Sequence, residues 1–135
     1  ITRALLAAGV PPERLIAVDV DGELLAVLRE EFPDITVLEC DAAELTKELP
    51  ADIVGKVGTV ICGIPISLLP RHEQRALIDE MFALMPRGRR FLAYTHRQTS
   101  PLPRDELGLE GERLARTLRN LPPASVWGYG RAEKG

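Results

Sequence analysis

Three short apolar runs decide the fold class: Leu15-Ile16-Ala17-Val18-Asp19-Val20, Ile35-Thr36-Val37-Leu38-Glu39-Cys40-Asp41 and Val57-Gly58-Thr59-Val60-Ile61-Cys62-Gly63-Ile64-Pro65. Each reads as a strand of aliphatic and β-branched residues that closes on an acid or a Gly/Pro turn. Helical patterns separate them, and strands that alternate with helices specify a parallel α/β sheet, since each parallel return needs a crossover. In such a sheet the carboxyl ends of the strands share one edge, and ligands bind in the crevice there. Asp19, Asp41 and the turn Gly63-Ile64-Pro65 are therefore expected to converge on one pocket, which suits a nucleoside-containing cofactor.

The segments around these runs follow the same rhythm. Asp21 is placed to cap a helix from Gly22 to Phe32, with Leu24, Leu25, Leu28 and Phe32 as its apolar stripe and Pro33 as its stop. Pro70 opens a second helix in which Leu77, Ile78, Met81, Phe82 and Met85 share a face, ended by Pro86 and Gly88. A strand is expected over Arg90 to Thr95, then a polar loop holding Ser100-Pro101-Leu102-Pro103 with Asp105 and Glu106. Two further strands, Leu114 to Leu118 and Ser125 to Tyr129, are joined by so short a link that they must pair antiparallel. The predicted architecture is a Rossmann-like sheet, mostly parallel, with a C-terminal antiparallel hairpin.

Ile1 to Ala8 reads as the last turns of a helix, with Gly9 as its stop and Pro11-Pro12 beyond. In an α/β unit such a helix follows a strand and a loop, and that loop is where a Gly-rich cradle would sit. The expectation is that this first strand and Gly-rich loop lie upstream of Ile1. The strand would take the place between those ending at Asp19 and Gly63.

With 135 residues and 45% hydrophobic side chains, the chain suits one domain over residues 1–135. A net charge of −3 argues against a general nucleic-acid footprint, although Arg87, Arg89 and Arg90 form a local patch that can meet an anion. Cys40 and Cys62 lack metal-ligand spacing, so no metal is expected and the pair fits a reducing cytoplasm. No stretch approaches the roughly 20 apolar residues of a membrane span.

The succession Leu15-Ile16-Ala17-Val18-Asp19, Glu39-Cys40-Asp41-Ala42, Gly63-Ile64-Pro65, Pro86-Arg87-Gly88-Arg89-Arg90-Phe91 and Arg119-Asn120-Leu121-Pro122-Pro123-Ala124-Ser125-Val126-Trp127 resembles the bacterial phospholipid N-methyltransferases. That family is related to the ribosomal RNA adenine dimethyltransferases. The long Asn-Leu-Pro-Pro-Ala-Ser-Val-Trp run favours the phospholipid branch. The departures are the absent Gly-rich loop and Cys40, where the pattern usually has Gly.

The resemblance implies S-adenosylmethionine as cofactor and phosphatidylethanolamine or a similar lipid as methyl acceptor, met at a membrane surface by a cytoplasmic enzyme peripheral to the inner membrane. It implies that Asp19, followed by Val20, receives the ribose hydroxyls, and that Asp41 accepts from the adenine amine while the Ala42 N–H meets a ring nitrogen. Cys62 falls among the cofactor contacts, and Gly63, Ile64 and Pro65 match the loop beside the acceptor. The RNA enzymes carry an aromatic residue there to stack on a base, and this chain has none, which favours an aliphatic amine. The amine must lose a proton before attack, and Tyr94 or His96 at the next strand end are the candidates for that step. Asp19 and Asp41 also suit simple helix-cap roles, and the Gly-Ile-Pro segment a plain turn. Two other readings remain open, an RNA adenine N-methyltransferase and a non-catalytic methyltransferase-fold remnant.

Overall fold

The structure is a computed structural model that describes residues 2–95, 102–117 and 124–132, with the backbone alone at 94, 95, 105, 106, 114–117, 124 and 125. The chain divides into two compact units, Ile1–Glu48 and Leu49–Gly135.

In the first unit, α1 (Thr2–Ala7) ends at Gly9, whose φ of 104° is the left-handed conformation that stops a helix at low cost for glycine. A 3-10 turn over Pro12–Arg14 leads into β1 (Ile16–Asp19). The helix α2 (Gly22–Glu31) starts where expected, because Asp21 Oδ1 accepts the N–H groups of Glu23 and Leu24 at 3.0 and 3.2 Å. It packs on β1 and on β2 (Thr36–Glu39), which runs parallel to β1 in the register Ile16↔Thr36 through Asp19↔Glu39. A 3-10 turn over Ala42–Glu44 and α3 (Leu45–Glu48) complete the unit. Of the expected stripe on α2, Leu25 is buried and Leu28 and Phe32 are half-buried, but Leu24 is 46% exposed. Leu24 sits about 100° around the helix from Leu25, and two strands offer too narrow a floor to cover both.

The second unit contains β3 (Val60–Cys62), a 3-10 turn over Ile66–Leu68, α4 (Arg71–Leu84), β4 (Phe91–Thr95), α5 (Arg104–Leu107), β5 (Leu109–Thr117) and β6 (Ala124–Arg131). Its sheet has the order β3-β4-β6-β5, in which β3 and β4 are parallel and the other two pairs antiparallel. Parallel pairing within each unit and an antiparallel close are as expected. Among the described residues, however, the strands form two sheets, with β1 paired to β2 and β3 paired to β4.

Two strand starts in this unit differ most from the sequence reading. The strand β3 begins at Val60 and not Val57, because the N–H groups of Gly55 and Val57 both donate to the Leu84 carbonyl, which ties that segment to the end of α4. The strand β5 begins at Leu109, five residues before the expected Leu114, and α5 occupies part of the expected loop. Its alternation is hidden by Glu110, Glu112 and Arg113, as befits an edge strand whose side chains meet water. At Gly111 an added Cβ would lie 2.7 Å from Arg104 Cδ and 2.9 Å from Tyr129 Cε1, so glycine lets the strand pass over that ring. The expected strand end at Leu118 and the link 119–123 lie outside the described residues.

The core of this unit is a run of rings. Phe91 is fully buried, with its centroid 5.4 Å from Phe82 edge-on and 5.3 Å from Tyr129, and Trp127 lies 6.2 Å beyond Tyr129. Leu77, Ile78 and Met81 add the buried face of α4 as expected, and Met85, just past the helix end, is buried too. The rim is closed by Arg131, whose guanidinium stands 4.5 Å from the Phe82 centroid and donates to Asp79 at 2.6 Å. Removing the central ring leaves a cavity, so Phe91→Ala is expected to cost about 3–5 kcal/mol of stability, measurable by urea unfolding.

The first unit has a much thinner core. Among its described residues only Leu25, Ile35 and Leu45 are buried hydrophobics, and β1 is half-buried along its whole length. Local opening follows the amount of buried apolar surface. Amide hydrogens of β1 and β2 are therefore expected to exchange at least about tenfold faster than those pairing β4 with β6, which hydrogen exchange followed by NMR would read strand by strand.

Candidate functional site

Asp19 ends β1 directly beside Glu39, its partner in the parallel register, and the Cys40 N–H continues the ladder to the Asp19 carbonyl at 3.1 Å. The Asp19 side chain is held by its own backbone, with Oδ1 accepting the N–H of Val20 at 2.7 Å and of Asp21 at 3.0 Å. Among the described residues Oδ2 has no hydrogen-bond partner, so one oxygen fixes the carboxylate and the other keeps its capacity to accept. Val20 next to it is 68% exposed, an apolar side chain beside a fixed acceptor.

Asp41 repeats the arrangement one strand over. Its Oδ1 accepts the Ala43 N–H at 2.9 Å and its carbonyl accepts the Glu44 N–H at 2.9 Å, so it caps the 3-10 turn and again keeps Oδ2 without a partner among the described residues. Ala42 takes the first position of that turn, where the N–H has no acceptor within the turn itself. The cap role and a ligand role can coexist in each of these acids, because they use different oxygens.

Glu39 was not singled out by the sequence. An added Cβ at Gly22 would meet its Oε1 at 3.0 Å, which puts this carboxylate against the first residue of α2, where a helix favours negative charge. The signal that could have found it is the parallel register, which sets Glu39 opposite Asp19. Among the described residues no three His, Cys, Asp or Glu side chains are grouped to hold a metal ion.

In the second unit, β3 ends with Cys62 paired to Ala93, so Gly63 and Tyr94 follow side by side along the same edge of the sheet. Gly63, Ile64 and Pro65 are all exposed. The backbone of Tyr94 pairs with Val126, and His96 lies outside the described residues. Cys62 is buried, and burial pushes its thiol pKa up, outweighing the opposing effect of its hydrogen bond to the Ile64 carbonyl at 3.8 Å. The Cys40 thiol is also pushed up, by burial first and then by the nearby Glu48 and Asp41. Thiols held in the neutral form are poor nucleophiles, and the buried Cys62 side chain fills space as a small apolar group. Of the arginine patch, Arg87 and Arg89 are exposed and Arg90 donates to Glu112 at 2.8 Å.

No family model matches the chain, and no curated protein matches it by sequence. Its architecture is similar to that of several solved structures. The CurJ carbon methyltransferase superposes with a TM-score of 0.66 at 10% identity, over 97% of this chain and 46% of that one. A SAM-dependent methyltransferase from Archaeoglobus fulgidus gives 0.63 at 14% identity, over 95% of this chain and 80% of that one. The glycopeptide N-methyltransferase MtfA, complexed with S-adenosyl-L-methionine, gives 0.55 at 17% identity, over 98% and 61%. The chain thus spans about half the length of the CurJ enzyme. Its fold is the Rossmann-like α/β fold of the S-adenosylmethionine-dependent methyltransferases.

Proposed function

We propose that the protein is an S-adenosylmethionine-dependent N-methyltransferase whose acceptor is the amine of phosphatidylethanolamine or a similar phospholipid. The observation that carries the methyltransferase reading is Asp19, a strand-end carboxylate fixed through Oδ1 with Oδ2 left to accept, on a fold shared with enzymes of that class. A vicinal diol needs an acceptor of this kind. In this reading Asp19 takes the ribose hydroxyls, Val20 lies against the adenine ring, and Asp41 with the Ala42 N–H reads the edge of the base.

When bound, the cofactor supplies a methyl group on a sulfonium, ready for in-line displacement. What remains for the chain is alignment and a neutral amine. Gly63, Ile64 and Pro65, all exposed, are the segment we assign as the acceptor loop. Tyr94 and His96 are the groups we assign to removing the amine proton. The lipid assignment is supported by the Asn120-Leu121-Pro122-Pro123-Ala124-Ser125-Val126-Trp127 run, of which 120–123 lie outside the described residues, and by the lack of an aromatic residue from Cys62 to Pro70. The enzyme would work at the cytoplasmic face of the inner membrane.

Loss of the Asp19 carboxylate removes charge-assisted hydrogen bonds, so Asp19→Ala is expected to weaken S-adenosylmethionine binding by about 1–3 kcal/mol in calorimetric titration. Unchanged affinity would take Asp19 out of the site. The acceptor is tested by supplying cofactor labelled in its methyl group with phosphatidylethanolamine and ribosomal RNA offered in parallel. Label is expected in the lipid fraction, and label confined to RNA would replace the lipid reading with the RNA one.

A further inference from the structure

We infer that the loop from Gly63 to Pro70 is a bilayer-contact element, which sets Ile64 and Leu68 into the interface of a membrane that carries anionic lipid. The inference rests on the phospholipid reading above and adds the surface by which the protein meets its substrate. From Val57 to Pro70 the sequence carries no charged side chain, an unusual length in a chain that is 27% charged. Most of that stretch from Gly63 onward faces water: Leu68 is 81% exposed and Ile64 42%, with Pro65 and Pro70 exposed beside them.

This exposure belongs to a built loop. Ile66 is 3% exposed and anchors the turn from below. The Ile66 N–H donates to the Ile64 carbonyl at 2.8 Å, the Leu68 N–H to Pro65 at 3.0 Å and the Leu69 N–H to Ile66 at 2.9 Å. From the far side the buried Gln74 donates through Nε2 to the Leu69 carbonyl at 3.0 Å. These bonds hold the turn in shape while Ile64 and Leu68 stay exposed, two apolar side chains on a tied loop that can enter an apolar phase.

The flank supplies the matching charge. Immediately after the uncharged stretch α4 opens with Arg71, His72 and, one turn on, Arg75, against the single acid Glu73. His72 and Arg75 are exposed. An apolar tip followed by cationic side chains is the pattern that binds anionic interfaces, where insertion and attraction to the headgroups act together. Because the tip continues directly from Gly63 and Pro65, docking would bring the assigned acceptor loop to headgroup depth.

The test is flotation of the protein with vesicles of phosphatidylethanolamine and phosphatidylglycerol, compared with vesicles of phosphatidylcholine alone. The wild-type protein is expected to float with the anionic vesicles, and Leu68→Glu to lower the bound fraction about tenfold, the scale of one lost Leu burial. Val27→Glu, a charge placed at another exposed apolar position, is expected to float as wild type. Thermal unfolding by circular dichroism checks that Leu68→Glu folds, and Leu68→Gln serves if it does not. Equal flotation of wild type and the Leu68 variant would overturn the inference, as would absence of wild-type flotation. Methylation of phosphatidylethanolamine dispersed in detergent micelles by the wild-type protein keeps the two readings apart: activity there with no Leu68-dependent flotation removes only the docking loop.

Discussion

Parallel pairing of strands is the constraint from which the arrangement of polar groups follows. Two strands in a parallel ladder leave the sheet on the same side, so whatever follows each apolar run is delivered to a common edge. In the first unit the register that sets Asp19 against Glu39 also brings Cys40 and Asp41 alongside, and the N-terminus of α2 rises from the same edge. In the second unit the pairing of Cys62 with Ala93 does the same for Gly63 and Tyr94. A slip of one residue in either pair would turn every side chain of the strand to the opposite face.

The acids at the first of these edges have a local structural task that leaves room for a second. Asp19 and Asp41 satisfy backbone N–H groups of the turn that follows them, which is ordinary cap chemistry. Such a bond occupies one oxygen and immobilises the plane of the carboxylate, so the second oxygen is oriented in advance of any ligand. Less rotational freedom then remains to be lost on binding. Local structural need and ligand recognition are thus compatible, and a cap assignment does not count against a site assignment.

The two units differ in how their stability is built. The second rests on the ring sequence Phe82, Phe91, Tyr129 and Trp127, sealed by Arg131, and can therefore carry an exposed apolar loop on a firm base. The first buries little and depends more on backbone ladders and caps. Exposed Val20 and Leu68 have different settings for that reason: one lies beside a fixed carboxylate, the other at the tip of a tied loop.

The sequence by itself determined the α/β class, the parallel pairing, the closing antiparallel pair and the caps, because these depend on period, turn residues and short-range hydrogen bonds. Asp21 before Gly22 and Gly9 after α1 act within a few residues, so a linear reading can find them. Only the tertiary structure decided that Leu24 is exposed, since that depends on how wide a floor α2 packs against. It alone extended β5 back to Leu109, where charged edge residues mask the period and Gly111 makes room for Tyr129. It alone brought Glu39 against Gly22 and tied Gly55 and Val57 to Leu84, contacts between residues 17 to 29 positions apart that no local pattern encodes.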